Sequence, residues 1–312
     1  MNEVSRKILE QVNSVIIGKE AVTEKVLMAV LAQGHVLLED VPGVGKTTMA
    51  LAFARTLGLD SRRVQFTSDT MPSDIIGFSL YNKETGRFDY KSGAVMTNLL
   101  LADEINRTSS KTQSALLEAM EEYQVTVDGH TYPLPKPFVV LATQNPVGSA
   151  GTQLLPSSQL DRFMIRTTMG YPDRQSQVDI LRERHHENPL DRLRGVVTCE
   201  ELLELIESAK QVHIADAVYD YIVDLVDATR SSELVELGVS PRGALALCRM
   251  AKAHAFVRGG DFVTPEDVYQ VFDDVCAHRL VLSAKARLGK ITAREITEQL
   301  RQQVPVPQVA QL

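Results

Sequence analysis

The chain has 312 residues, 44% of them hydrophobic and 23% charged, the balance of an ordinary folded protein with room for two domains. A net charge of −7 excludes a general binder of nucleic acid or of anionic membranes and leaves room only for a local basic patch. Three cysteines, Cys199, Cys248 and Cys276, lie far apart without metal-binding or C-x-x-C spacing, as expected of reduced core residues in a cytoplasmic protein.

The opening "MNEVSRKILEQVNSV" lacks the apolar run of a signal peptide, and no stretch is long enough to span a bilayer. Short apolar runs at 35–39, 62–68, 95–104, 136–145 and 162–168 read as buried strands. Helical patterns separate several of them, at Thr47 to Leu57 before Gly58 and at 111–123. That alternation predicts an α/β fold with a parallel sheet and helices on both faces. Two segments interrupt it. Residues 79–93, with a Thr-Gly turn, read as an inserted hairpin, and 123–134 as a second, turning at Asp128-Gly129. After Tyr171-Pro172 only helical periodicity continues, at 199–212, 216–230, 240–257 and 264–282. Ser240 with Pro241, and Thr264 with Pro265 and Asp267, supply helix starts. The expected organisation is an α/β domain over 1–172 and a helical one over 173–312, with a poorly ordered Gln/Val/Pro tail from Gln299. His185-His186 reads as a solvated helix end, since it lacks the i, i+4 spacing that ligates a metal from one helix face.

The stretch His35 to Ala50, "HVLLEDVPGVGKTTMA", carries most of the chemistry. Gly45, Lys46 and Thr47 fill the end of the phosphate-binding pattern G-x-x-x-x-G-K-[ST], while Asp40 stands where the first glycine is expected. Gly43 and Gly45 let the backbone approach a phosphate, Lys46 reaches the β and γ phosphates, and Thr47 offers a hydroxyl to Mg²⁺ at a helix N-terminus. The bland alternative is a structural glycine-rich turn. Asp103, ending "NLLLAD", supplies the carboxylate that a hydrolysing site needs for its metal, and Glu104 is placed to take a proton from water. Three further positions carry weaker signals. Asn145, just past "FVVLATQ", orients water or contacts the γ-phosphate, or else caps a strand end. Arg162, beside Asp161 and just before the last strand, also fits a surface salt bridge. Arg242 is the second residue of a capped helix, at its anion-attracting end.

Together the stretches "VIIGKE", "LLEDVPGVGKT", "LLLADEINR", "KTQSALLEAMEE", "LATQNP", "LPSSQLDRF" and "SPRGAL" resemble the MoxR family of AAA+ ATPases, from about residue 12 to about residue 282. That family's phosphate loop often begins Glu-Asp or Glu-Gly, which implies that Asp40 occupies a strand end and that the site works. The resemblance implies a five-stranded parallel sheet sandwiched by helices, followed by a small all-helical lid. It implies ATP and Mg, with Ile17 and Gly18 lining the adenine pocket. The loop residues Pro42, Gly43, Val44, Gly45, Lys46, Thr47 and Thr48 would hold ATP, and Thr47 and Asp103 the metal. Asn145 would be the sensor 1 residue, Arg162 an arginine finger completing a neighbouring subunit's site, and Arg242 the sensor 2 residue, acting in its own subunit or in a neighbour's. The implied assembly is a ring, usually of six, with both hairpins toward a client at its central surface. The implied partner is a separate polypeptide, often with a von Willebrand A-type domain, that is remodelled or activated, sometimes for cofactor insertion. The chain itself has no D-x-S-x-S pattern of such a domain and ends soon after the lid. A metal chelatase ATPase subunit has a similar site and inserts. A DNA-associated motor shares the core, but the acidic charge counts against it.

Overall fold

Alternate residues of the central strands face opposite sides, and this sets the layers of the computed structural model, which describes residues 1–41, 43–145, 155–183 and 189–307. Helices α1 (Glu3–Asn13) and α2 (Glu20–Leu31) lead into β1 (Val36–Glu39), followed by α3 (Lys46–Thr56), β2 (Ser61–Gln65) and α4 (Pro72–Ile76). Strands β3 (Gly77–Asn82) and β4 (Arg87–Ser92) form a hairpin before β5 (Leu99–Asp103) and α5 (Ser110–Glu122). A second hairpin, β6 (Gln124–Val127) with β7 (His130–Pro133), precedes β8 (Val139–Gln144), α6 (Ser157–Leu160), β9 (Ile165–Thr167) and α7 (Arg174–Glu183).

Five strands pair in the order β2-β5-β8-β1-β9, all parallel. Val36, Leu38, Leu99, Leu101, Val139 and Leu141 face one core, shared with α1 to α3 and the C-terminal helices. Leu37, Leu100, Ala102, Val140 and Ala142 face the other, under α4, α5 and the hairpins. Each fully buried leucine contributes roughly 1.5–3 kcal/mol. Because the strands are parallel, the C-terminal ends of β1, β5 and β8 lie at one edge of the sheet, where open α/β sheets bind ligands.

All five sheet strands are shorter than the sequence suggests, β2 and β5 for reasons visible in the structure. Residues 66–68 leave the sheet because Thr67 and Thr70 bond each other in a local turn. Residues 95–98 run instead beside α4, with the Val95 N–H donating to the Ile75 carbonyl at 3.1 Å. The two hairpins form one unit, since the Tyr90 and Tyr132 rings stack 4.0 Å apart.

The C-terminal part contains α8 (Cys199–Lys210), α9 (Asp216–Ser231), β10 (Val235–Leu237), α10 (Pro241–Arg258), α11 (Pro265–Cys276), β11 (Val281–Leu282), α12 (Ala284–Leu288) and α13 (Ala293–Gln303). Thr198, Ser240, Thr264 and Thr292 cap α8, α10, α11 and α13 with side-chain oxygens, each worth about 1 kcal/mol. The antiparallel β10–β11 pair is a small addition to the helical lid. Two expectations are corrected. The tail does not begin at Gln299, because α13 continues to Gln303 with Leu300 buried and Arg301 lying 3.9 Å over the Tyr269 ring. Of the three cysteines only Cys276 is buried, its thiol pushed up to about 12 by desolvation, while Cys199 and Cys248 are half-buried. His185-His186 lies outside the described residues. No described helix is long and apolar enough to cross a membrane.

Candidate ATP site

At the C-terminal edge, β1 hands the chain to the loop before α3. Gly43 and Gly45 have φ of +87° and +100°, left-handed backbone that glycine adopts without strain. Among the described residues, a Cβ built at Gly43 would meet nothing within 4 Å. Thr47 and Thr48 are half-buried on the first turn of α3, and Val44 packs against the adjoining core. Pro42 lies outside the described residues. The Lys46 ammonium is buried and donates to the carbonyls of Asp40 at 2.8 Å and Val41 at 3.1 Å. Burial lowers its pKa, against the opposing charges of Asp40, Asp103 and Glu104.

Asp40 has a structural task of its own. Its buried carboxylate accepts from the backbone N–H of Met169 and, at 3.0 Å, from that of Gly170. The residue thus fastens the start of the loop to the segment after β9. Nearby, Gly18 turns at φ +70°, and a Cβ there would lie 2.2 Å from the Ser176 Oγ. Lys19 Nζ donates to the Tyr171 carbonyl at 2.8 Å, so the Ile17–Gly18 turn rests against the same segment.

Strand β5 ends at buried Asp103. Its Oδ1 accepts from the Thr143 hydroxyl at 3.2 Å, and its Oδ2 pairs with Arg63 Nε at 2.8 Å. Glu104 follows at φ +57°, with Oε1 accepting from Asn145 Nδ2 at 3.0 Å and Oε2 from Arg107 at 2.7 Å. Burial raises the Glu104 carboxyl, but the bonds from Arg107 and Asn145 and the charge of Lys46 outweigh it and leave the carboxyl below the ordinary range. Glu104 is therefore ionised at neutral pH. Among the described residues the Oδ1 of Asn145 is buried without a hydrogen-bond partner, an acceptor beside the carboxylate.

Arg162 and Arg242 lie at the other edge. The Met164 N–H donates to the His35 carbonyl, just before β1, at 2.8 Å, so Arg162 adjoins the strand beginnings. From His35 to Asp40 the chain spans roughly 16 Å at about 3.3 Å per residue, farther than an arginine side chain reaches. Glu121, in the last turn of α5, meets both arginines. Its Oε2 is 3.1 Å from Arg162 Nε, and its Oε1 bonds the Arg242 guanidinium. With Gln33, Asp161 and Arg279 these three residues line a cavity of about 150 Å³. Asp161 accepts from the Ser240 hydroxyl at 2.9 Å and from Arg279 Nε at 2.8 Å, which ties the cap of α10 to the residue beside Arg162.

The pattern of the "ATPase family associated with various cellular activities (AAA)" matches residues 35–165, and that of an AAA lid domain matches 227–300. A chaperone named MoxR1 from Mycobacterium tuberculosis is 40% identical over 99% of this chain and 84% of its own length. A protein named MoxR from Methylorubrum extorquens is 31% identical over 90% and 88%. The chain belongs to the MoxR family of AAA+ ATPases. A further relative, an uncharacterized Bacillus subtilis protein named YeaC, is 46% identical over 96% of this chain and 94% of its own. The crystal structure of a candidate ATPase from Cytophaga hutchinsonii matches with a TM-score of 0.90 at 38% identity, covering 97% of this chain and 94% of that one.

For a MoxR-family chain the donors at the C-terminal edge suit Mg·ATP. The Thr47 hydroxyl and the Asp103 carboxylate are hard oxygens of the kind magnesium takes, and the glycine loop lets the backbone approach a phosphate. Sequence reasoning missed Arg107, Arg63 and Glu121. Arg107 had a local signal, since it stands three residues after Glu104. Glu121 had a subtler one: it is an acidic residue in a last helical turn, where the carbonyl ends disfavour a carboxylate.

Proposed function

We propose that this chain binds Mg·ATP at the C-terminal edge of its sheet and hydrolyses it within a ring, expected to hold six subunits, to remodel or activate a separate protein. In this reading the backbone around Gly43 and Gly45, with Pro42, Val44 and Thr48, cradles the phosphates, and Lys46 adds the counter-charge. Ile17 and Gly18 border the adenine, and Thr47 with Asp103 holds the metal. Bound Mg²⁺ supplies charge neutralisation on the phosphate oxygens. Glu104 accepts the proton of the attacking water, and Asn145 orients that water through its amide. Arg162 stabilises charge on the transferred phosphoryl group of a neighbouring subunit, a contribution of ~10³-fold or more in rate.

One observation carries the ring: Arg162 lies a full strand length from the phosphate loop of its own chain. Arg242 shares Glu121 with it, which favours action on the same neighbour. The first hairpin exposes Phe78, Leu80, Tyr81 and Phe88, the last of them 72% exposed, and this apolar surface supports a client-facing role. The proposed client class, a polypeptide with a von Willebrand A-type domain receiving a cofactor, follows from the family resemblance.

The test is a mixture of two inactive variants. Arg162→Ala lacks the donated arginine, and Glu104→Gln lacks the base. An interface where Glu104→Gln donates Arg162 to a chain with intact Glu104 is whole, so activity should reappear. A mixture that stays inactive although mixed rings form, or a dilute monomer with full activity, overturns the reading.

A further inference from the structure

Glu121 has no part in the proposed hydrolysis, yet it is the group that joins the two arginines. We propose that Glu121 is the positioning residue that holds Arg162 and Arg242 as one paired unit for the nucleotide of a neighbouring subunit. The inference rests on the ring reading above.

Each carboxylate oxygen serves a different guanidinium: Oε2 faces Arg162 Nε at 3.1 Å and Oε1 bonds Arg242. Without the carboxylate, Arg162 and Arg242 would repel each other and separate, in a cavity that Arg249 and Arg279 also line. With it, each still has N–H groups to spare, because a guanidinium carries five donors and Glu121 occupies few of them. Those remaining donors suit bidentate contact with phosphate oxygens.

The backbones that carry the three side chains are anchored by contacts other than the Glu121 carboxylate. The end of α5 is fixed by the Tyr123 hydroxyl donating to the Gln33 carbonyl at 3.0 Å, and by His35 Nε2 against the Met120 carbonyl at 3.0 Å. The start of α10 is fixed to Asp161 through Ser240, and Asp161 in turn to buried Arg279. Only the side chains of Arg162 and Arg242 are left to be oriented, and Glu121 hydrogen-bonds Arg242 and forms an ion pair with Arg162. Its place is otherwise unfavourable, since the last turn of α5 has no basic residue and its carbonyls repel a carboxylate. A carboxylate there is stabilised by the arginines, and they by it.

The test compares Glu121→Gln with Glu122→Gln, which removes the same charge from the same helix end but pairs with neither arginine. Both are assayed as full-length protein for ring size, ATP affinity and turnover. For Glu121→Gln, ring size and ATP affinity stay at the parental values, KM moves little, and kcat falls about ten- to hundredfold, the range expected when a catalytic group shifts by about 1 Å. Glu122→Gln keeps the parental kcat. Glu121→Asp, which keeps the charge, recovers part of the loss. Mixing decides the side of the interface: Glu121→Gln regains activity with Glu104→Gln and not with Arg162→Ala. A parental or raised kcat in Glu121→Gln overturns the proposal, as does failure to complement Glu104→Gln when Arg162→Ala complements it. If Arg162→Ala also fails in mixed rings, the ring reading falls, and this inference with it.

Discussion

Replacing Asp40 by glycine restores the consensus phosphate-loop spacing, and we expect it to weaken the protein. The buried carboxylate accepts from two backbone N–H groups, those of Met169 and Gly170. Met169 is 5% exposed, so its donor would be stranded, whereas half-buried Gly170 regains some water. A stranded buried donor costs about 1–3 kcal/mol, which for one full and one partial loss sums to about 2–4 kcal/mol. At about 2 °C per kcal/mol for a chain of this size, Tm should drop by about 4–8 °C. Thermal unfolding without nucleotide at matched protein concentration measures it, because ligand and assembly would otherwise add stability. Asp40→Asn, which keeps one acceptor, should fall between. A Tm for Asp40→Gly equal to or above the parental value would show that the two hydrogen bonds contribute nothing.

Lys46→Ala should abolish tight ATP binding, read by nucleotide titration, since its ammonium is the main side-chain counter-charge to the phosphates. Glu104→Gln should bind ATP normally and lose turnover; hydrolysis at the parental rate would remove Glu104 from the base role. The bond from Arg107 favours the ionised form of Glu104, so Arg107→Ala should raise that pKa and move the acid limb of the pH–rate profile to higher pH. The same lowered pKa makes a stabilising contribution that is present above the unfolded carboxylate value and fades as pH falls through the folded one. Shortening 82–87 should leave basal ATPase intact and weaken stimulation by a client, measured as the ratio of stimulated to basal rate.

The strands were legible because the continuous apolar runs in "HVLLE" and "FVVLATQ", as expected of parallel strands buried on both faces, are a local property. The phosphate loop was legible because close approach to phosphate dictates its glycines. What the sequence hid is long-range. Asp40 meets its partners 129 and 130 residues away, and Glu121 meets Arg242 121 residues away, so no local spacing marks either pairing. Arg279 is a buried tie to the segment before β9, bonding the Asp161 carboxylate and the Phe163 carbonyl more than 110 residues away. The helical end of the chain was hidden for a different reason. Gln-rich composition outweighed the Thr292–Glu295 capping box and the buried Ile296 and Leu300 that make α13.

Helix α5 begins beside Glu104, where Gln113 Nε2 holds the Ile105 carbonyl at 3.1 Å, and ends at Glu121 and its arginines. It is 13 residues long, about 20 Å at 1.5 Å per residue. In a ring of the proposed kind, one end of this rod therefore stands at a subunit's own nucleotide and the other at its neighbour's. A helix bends little over that length, so a displacement at its start arrives at its end as a displacement of similar size. Tyr123 joins this helix directly to the second hairpin, and the stacked Tyr90 and Tyr132 rings join that hairpin to the first. In that proposed ring, adjacent sites joined by such a strut would not fire independently: each event of hydrolysis would be felt both at the next interface and at the surface that would grip a client.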